Sequence, residues 1–259
     1  MPPRVYKTEA LVLRQARLGE ADAILTLYTP FIGKLRAAAR GLRRPQSKLA
    51  GHLEPLSRSS LMLSQGQNMD VVTQAQSLES FLPLRADLWR STCAVYAAEL
   101  VDRFTEEHIS NNPLYKLLVD TLGRLCQVVA ADIPLRYFEI HMLEHLGYRP
   151  ELERCLGCNG ELASSGNLFS ASSGGGLCPG CGTSQATARP ISAVALKVLR
   201  LMQKSDYTAA SRMRLEPALA SEVEGLLRGY LHYLLEREVK STRFLDRLRR
   251  EDASLPTTP

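Results

Sequence analysis

The strongest constraint on the fold is a pair of Cys-x-x-Cys motifs. Cys155 and Cys158 form the first motif, and Cys178 and Cys181 form the second, after nineteen intervening residues. That interval leaves room for a short hairpin, and glycines within and beside each motif let backbone amides turn tightly toward the sulfur atoms. Four thiolates complete the tetrahedral shell of Zn²⁺ and leave no position for water. The spacing therefore predicts one structural zinc ion per chain.

Redox chemistry at Cys178-Pro-Gly-Cys181 and a pair of local disulfides are the alternatives for these residues. The use of cysteine fits a reduced compartment better than a disulfide scaffold, since four of the six cysteines fall in the two motifs. Residues 149–189 also contain eight glycines and little apolar material to bury. Metal binding, at roughly 10–16 kcal/mol, would supply the folding energy that such a segment lacks.

The hydrophobic pattern that precedes the cysteine segment is first typical of strands and then of helices. Period-2 alternation and turn residues predict five short strands in the first 80 residues, at 5–13, 23–28, 34–40, 61–64 and 69–75. Five short strands with a longer connection after the third are typical of a small closed β-barrel. The OB-fold is the best match, and an SH3-like barrel is an alternative that spacing does not exclude.

Helical spacing of apolar residues begins near residue 84 and resumes after the cysteine segment. We therefore predict an α+β multidomain protein, in which an OB-fold barrel precedes a helical domain with an inserted Cys₄ zinc module. The predicted boundaries are 1–80 for the barrel, 81–148 and 190–252 for the two helical parts, 149–189 for the zinc module, and 253–259 for a disordered tail.

Basic residues are concentrated at the start of the chain. Residues 1–60 hold eleven Lys or Arg against four Asp or Glu, a net charge of +7, while the rest of the chain has a net charge of −2. The densest part, residues 34–48, contains no carboxylate. On a strand, alternation places Lys34, Arg36 and Arg40 on one face. A basic strand face that leads into a basic loop suits a polyanion such as a nucleic acid.

The sequence contains no recognisable catalytic set. It has no P-loop, no Gly-x-Ser-x-Gly and no His-Glu-x-x-His motif. No run approaches the length of a membrane-spanning segment, and the N-terminus lacks the apolar core of a signal peptide. We expect a non-enzymatic, cytoplasmic protein without a membrane partner, and the family resemblance described next implies association with the nucleoid.

Four segments resemble the bacterial DNA repair protein RecO family over nearly the full length of the chain. They are ALVLRQARLGEADAILTLYTPFIGKL (10–35), ARGLRRPQSKLAG (39–51), FEIHMLEHLGYRPELERCLGC (138–158) and KSTRFL (240–245). Members of that family have an N-terminal OB-fold, a helical domain and, in many cases, a Cys₄ zinc module, and this chain has all four cysteines.

The resemblance implies a recombination mediator rather than an enzyme. Such proteins bind single- and double-stranded DNA and anneal complementary strands. With RecR they help load RecA onto strands coated by single-stranded-DNA-binding protein (SSB), whose acidic C-terminal tail they contact. The expected DNA-binding residues are Lys34, Arg36, Arg40, Arg43, Arg44 and Lys48, with Arg14 and Arg17 as weaker candidates.

The residues themselves leave two other function classes open. One is a zinc-dependent nucleic-acid enzyme such as a nuclease, for which turnover of labelled DNA in Mg²⁺ would be the sign. The other is a zinc-ribbon factor for RNA binding or transcription, for which a preference for structured RNA over single-stranded DNA would be the sign.

Overall fold

The structure, a computed structural model, describes residues 4–128, 130–236 and 239–254, apart from the side chains of 250–254. Most of the predicted tail, residues 255–259, lies outside the described residues. The chain divides into two compact units. Unit 1 comprises Met1–Val128 and Ser241–Pro259, and unit 2 comprises Val129–Lys240. The domain boundaries inferred from the sequence remain predictions.

Unit 1 begins with a five-stranded sheet. Its strands are β1 (Val5–Leu18), β2 (Asp22–Thr29), β3 (Gly33–Ala39), β4 (Arg58–Ser64) and β5 (Asp70–Glu79). The order is β1-β2-β3-β5-β4, in which β3 and β5 pair in parallel and the other neighbours are antiparallel. Strand β4 also pairs with β1. The predicted five strands are thus present. Alternation turns Leu25, Leu27, Leu35 and Ala37 into one apolar core.

Strand β1 is longer than predicted because it serves two partners. Its first half pairs with β4 and its second half with β2, and the register shifts between Val12 and Arg14. A bulge of this kind bends a strand and increases its twist, so one strand can continue along a second neighbour. The shift also sets which face Arg14 occupies.

In the described part of unit 1, four α-helices accompany the sheet. They are α1 (Leu82–Arg85), α2 (Leu88–Phe104), α3 (Asn112–Gln127) and α9 (Lys240–Ser254), of which α9 lies in unit 1 from Ser241 onward. Asp87 caps α2 and Asn111 caps α3, each accepting a bond from a backbone N–H in the first turn. In α9 Ser241 and Leu245 are buried, whereas Phe244 is 40% exposed.

Unit 2 contains α4 (Asp132–His145), α5 (Pro179–Gly182), α6 (Ala193–Lys204), α7 (Tyr207–Ala210) and α8 (Pro217–Leu235). A small sheet of β6 (Leu168–Ser170), β7 (Gly175–Leu177) and β8 (Arg189–Pro190) has the order β7-β6-β8. Helix α4 begins at Asp132, and Ala131 is its N-cap. No helix among the described residues has the length and apolar character needed to cross a bilayer.

Candidate nucleic-acid interface and metal centre

The outer face of the N-terminal sheet carries two of the predicted basic residues in one row. Arg14 on β1 pairs with Thr26 on β2, and Thr26 pairs with Arg36 on β3. Paired residues point to the same side of a sheet, so the two arginines flank β2 on a common face. Both are exposed, and Arg36 forms no ion pair within the described part of the chain. Arg36 is therefore available to an anionic ligand.

Lys34 differs from the other predicted basic residues because it is held by the protein. Its Nζ atom lies 2.5 Å from the backbone oxygen and 3.3 Å from Oδ1 of Asp102 on α2, and its side chain is only 12% exposed. Arg14 Nε lies 3.8 Å from Oδ2 of the same carboxylate, but Arg14 remains 66% exposed. Asp102 therefore neutralises part of the basic face, and Lys34 anchors β3 to α2.

The segment that follows β3 presents the remaining predicted cations to solvent: Arg40, Arg43, Arg44 and Lys48 are all exposed. Backbone bonds hold this segment in successive turns, with Arg43 N donating to Ala21 O at 2.9 Å and Arg44 N to Gly41 O at 3.1 Å. The Asp22 side chain accepts a bond from Gly41 N at 2.7 Å. The four cations thus follow the end of β3 on a hydrogen-bonded backbone.

One basic residue of the N-terminal quarter, the half-buried Arg58, forms ion pairs with the protein's own carboxylates. Arg58 Nε lies 2.8 Å from Oε1 of Glu9, and Tyr115 on α3 donates to the same oxygen at 2.6 Å. Burial disfavours the charged form of Glu9, but these hydrogen bonds outweigh it and hold the pKa of Glu9 below its ordinary value. The net charge of the first 60 residues therefore overstates the positive charge that the surface presents to a ligand.

The four motif cysteines converge in unit 2. The sulfur atoms of Cys155, Cys158, Cys178 and Cys181 all lie within 4.8 Å of one another, and no other such group of His, Cys, Asp or Glu occurs in the described residues. Cys158 and Cys178 are 3.9 Å apart at sulfur. A tetrahedral Zn–S distance of about 2.3 Å implies sulfur separations of about 3.8 Å. All four cysteines are free, so the alternative of two local disulfides is absent from this structure.

The electrostatics of the cluster also suit a cation. Burial opposes ionisation of Cys155, yet backbone N–H groups of Cys178, Cys158 and Gly157 face its sulfur and lower its pKa to about 6. The neighbouring sulfur groups raise the pKa of Cys181 to about 12. Four thiolates at these separations repel one another unless a positive ion lies among them. The donor set and its spacing therefore fit a metal ion.

Local backbone geometry brings the two motifs together. Strands β6 and β7 form the short hairpin that the nineteen-residue interval predicted. A Cβ atom on Gly157 would lie only 2.8 Å from Cβ of Cys181, so a larger residue at position 157 would force the motifs apart. Arg200 Nε on α6 donates to Leu152 O at 2.7 Å, which fastens the start of the module to the helices of unit 2.

Comparisons with known proteins agree over nearly the whole chain. The family model "Recombination protein O N terminal" matches residues 1–81, and "Recombination protein O C terminal" matches residues 85–243. The protein named "DNA repair protein RecO" of Roseiflexus sp. (strain RS-1) is 44% identical over 249 residues, which cover 96% of this chain and 88% of that protein.

Two further relatives carry the same name. The protein of Dehalococcoides mccartyi (strain ATCC BAA-2266 / KCTC 15142 / 195) is 40% identical over 248 residues, covering 96% of this chain and 98% of its own. That of Desulforamulus reducens (strain ATCC BAA-1160 / DSM 100696 / MI-1) is 35% identical over 245 residues, covering 95% of each chain.

Proposed function

The chain belongs to the RecO family of DNA repair proteins, and from this premise we propose that it is a DNA-binding recombination mediator. It binds single- and double-stranded DNA, anneals complementary strands and, with RecR, promotes loading of RecA onto SSB-coated single strands. It acts in the cytoplasm at the nucleoid and by binding alone, without a catalytic step.

One observation carries this proposal. Arg36, Arg40, Arg43, Arg44 and Lys48 are exposed in a continuous stretch that leaves the outer face of the sheet. Two DNA strands repel each other through their phosphates, so pairing them requires charge neutralisation more than chemistry. The sheet belongs, in our proposal, to an OB-type barrel, and the return of β4 to pair with β1 supports that assignment.

In the same proposal the Cys₄ cluster holds one structural Zn²⁺. Cys155, Cys158, Cys178 and Cys181 would be its ligands, and their sulfur separations support this assignment. Four thiolates saturate the ion, so its chemistry is to hold the module together.

An apolar cavity within unit 2 supports a site for the acidic C-terminal tail of SSB. The cavity has a volume of about 560 Å³, and Leu226, Tyr230 and Tyr233 of α8 line it together with Arg189 and Phe169. An acidic peptide would place a carboxylate near Arg189 and its apolar carbon atoms against the rings. Glu236 also lines the cavity, and its negative charge opposes binding of an acidic peptide. Arg189 is the positive group that has to offset this repulsion.

The test of the main proposal is strand annealing and DNA affinity across a salt series. The wild-type chain should anneal complementary oligonucleotides, and its affinity should fall steeply as salt rises. An Arg40→Glu/Arg43→Glu/Arg44→Glu variant should lose annealing and most of the salt slope, because each lost phosphate contact lowers the slope by about 0.7–0.9.

The control is Arg212→Glu/Arg214→Glu, which reverses two exposed charges in unit 2. It should leave annealing and the salt slope near wild type. Equal losses in both variants would show a general effect of net charge, and unchanged binding in the first would move the DNA site away from the sheet.

A further inference from the structure

A polar pocket lies beside Arg36 within unit 1. It has a volume of about 470 Å³ and is formed by the start of β1, the turn between β4 and β5, and the segment after α2. Its polar lining includes Arg4, Arg36, Gln65, Gln67, Asn68 and His108. Arg36 is the one residue of the basic stretch 34–48 that lines the pocket. The pocket is therefore a feature separate from the basic stretch on the same surface.

The lining suits a nucleobase better than a phosphate. Asp70 and Glu107 also line the pocket and balance the charges of Arg4 and Arg36. Side-chain amides such as those of Gln67 and Asn68 present a donor and an acceptor side by side, which is the pattern that the edge of an unpaired base requires. A base within a duplex has that edge occupied and cannot enter a pocket of this size.

The walls of the pocket are held in place before any ligand binds. The Tyr6 hydroxyl donates to the Asp70 carboxylate, whose other oxygen accepts a bond from Gly66 N at 3.3 Å. On the opposite side, His108 N donates to the backbone oxygen of Lys34 at 2.8 Å. Preorganised walls reduce the entropy cost of ordering a ligand.

An exposed aromatic ring adjoins the pocket along the chain. Phe31 is 76% exposed, and its neighbour Ile32 lines the pocket. The turn is fixed, because the Thr29 hydroxyl donates to Gly33 O at 3.0 Å and accepts from Ile32 N at 3.1 Å. Tyr28 is fully buried and offers no stacking surface. An exposed ring on a fixed turn beside a cationic face is the arrangement that stacks an unpaired base.

We propose that this pocket receives one unpaired nucleobase of single-stranded DNA, while Phe31 stacks on an adjacent base and Arg36 contacts the phosphate between them. This inference rests on the proposed DNA-binding function and adds a site that distinguishes single strands from duplex. The basic stretch supplies affinity for both forms, and the pocket adds affinity for the single strand.

Full-length variants with exposed substitutions test the proposal. Gln67→Ala/Asn68→Ala removes the amide edges, and Phe31→Ala removes the stacking face. Each should weaken binding of a single-stranded oligonucleotide at least about fivefold, as expected for loss of one stacked or recognised base, and change duplex affinity less than twofold. Phe31→Trp should restore single-strand affinity. Leu82→Ala, at a 67% exposed position of the same unit, is the matched control and should change neither.

A second measurement reports on the base directly. A single-stranded oligonucleotide that carries 2-aminopurine should change its fluorescence on binding to the wild type, and this change should be reduced in both variants. Equal losses for single strand and duplex, or no loss for either, would overturn the pocket while leaving the salt-dependent function intact. Loss of RecR binding with unchanged DNA affinity would assign Phe31 to a protein partner. Failure of the wild type to bind DNA would instead refute the proposed function.

Discussion

Lys34 and Arg36 lie two residues apart on β3, and their surroundings give them different tasks. Lys34 is bonded to Asp102 of α2, whereas Arg36 faces solvent at the edge of the polar pocket. Sequence alternation placed them on one face, and they do share it. The difference between them comes from the carboxylate of Asp102, which lies more than 60 residues later in the chain. A local sequence pattern cannot show that this carboxylate lies beside Lys34.

Substitution of these two residues should separate stability from binding. Lys34→Met keeps the length of the side chain but leaves Asp102 without its ammonium partner, so the free energy of unfolding should fall by about 1–3 kcal/mol. Arg36→Met should change it by less than about 0.5 kcal/mol and weaken DNA binding several-fold. Denaturant unfolding and oligonucleotide titration measure the two effects. A reversed pattern would show that Lys34 is the DNA contact.

Gly33 is the residue at which the turn before β3 meets the segment after α2. Its φ is +77°, and an added Cβ would lie 1.9 Å from the backbone oxygen of Ile109. Gly33→Ala should therefore lower the free energy of unfolding by about 2 kcal/mol or more, since it combines strain with a backbone clash. Thermal or denaturant unfolding measures it.

The matched control for that substitution is Gly123→Ala. Gly123 lies in α3, and a Cβ there would meet nothing within 4 Å. Alanine in the interior of a helix is favoured over glycine, so the free energy of unfolding of this variant should rise by up to about 1 kcal/mol. Equal stability of the two variants would contradict the assigned packing of Ile109 on Gly33.

Among the elements, β1, β4 and α3 are joined by one ionic group. Glu9 on β1 accepts from Arg58 on β4 and from Tyr115 on α3. The group ties a helix of unit 1 to the strands that carry the basic face. It also makes the attachment dependent on the charge of a single carboxylate.

That dependence should appear as acid sensitivity. The folded state holds the pKa of Glu9 below its unfolded value of about 4.3, so the stabilisation is present above that value and is lost as pH falls through the folded pKa. Between about pH 6 and pH 3, the free energy of unfolding should fall less in Glu9→Gln than in the wild type. Parallel curves for the two proteins would refute the assignment.

Over the whole molecule, the cysteine module of unit 2 differs from the sheet of unit 1 in how much apolar material it buries. Unit 1 has a continuous apolar core under its sheet, whereas the cysteine module of unit 2 has a few buried apolar residues, Leu152, Leu162, Phe169 and Leu177. A module with so little to bury depends on cross-links or a metal. A bound metal ion should therefore stabilise the cysteine module of unit 2 and have little effect on the sheet of unit 1.

Metal removal tests this division. Protein purified under reducing conditions without chelator should contain about one zinc per chain. Cys158→Ser should lose it, while Cys126→Ser, outside the cluster, should keep it. In the first variant, amide hydrogen exchange should rise in residues 152–182 and stay near wild type in β1–β5. Zinc-free wild-type protein with unchanged exchange would refute a structural metal.

The sequence predicted several local features that the structure confirms. The five strands and the convergence of the four cysteines follow from patterns a few residues long or from the reach of a short hairpin. Side-chain alternation acts between near neighbours in a strand, so the order of the residues is enough to predict it. The OB-type barrel, the domain boundaries and the DNA contacts remain predictions.

The sequence by itself determined where the basic residues are concentrated and which cysteines can share a metal. Only the tertiary structure decided which cations stay available: Asp102 engages Lys34, Glu9 engages Arg58, and Arg36 stays exposed beside a pocket built from three distant segments. The physical reason is distance. An ion pair or a pocket wall forms within a few ångströms, and which residues approach that closely depends on how whole elements dock.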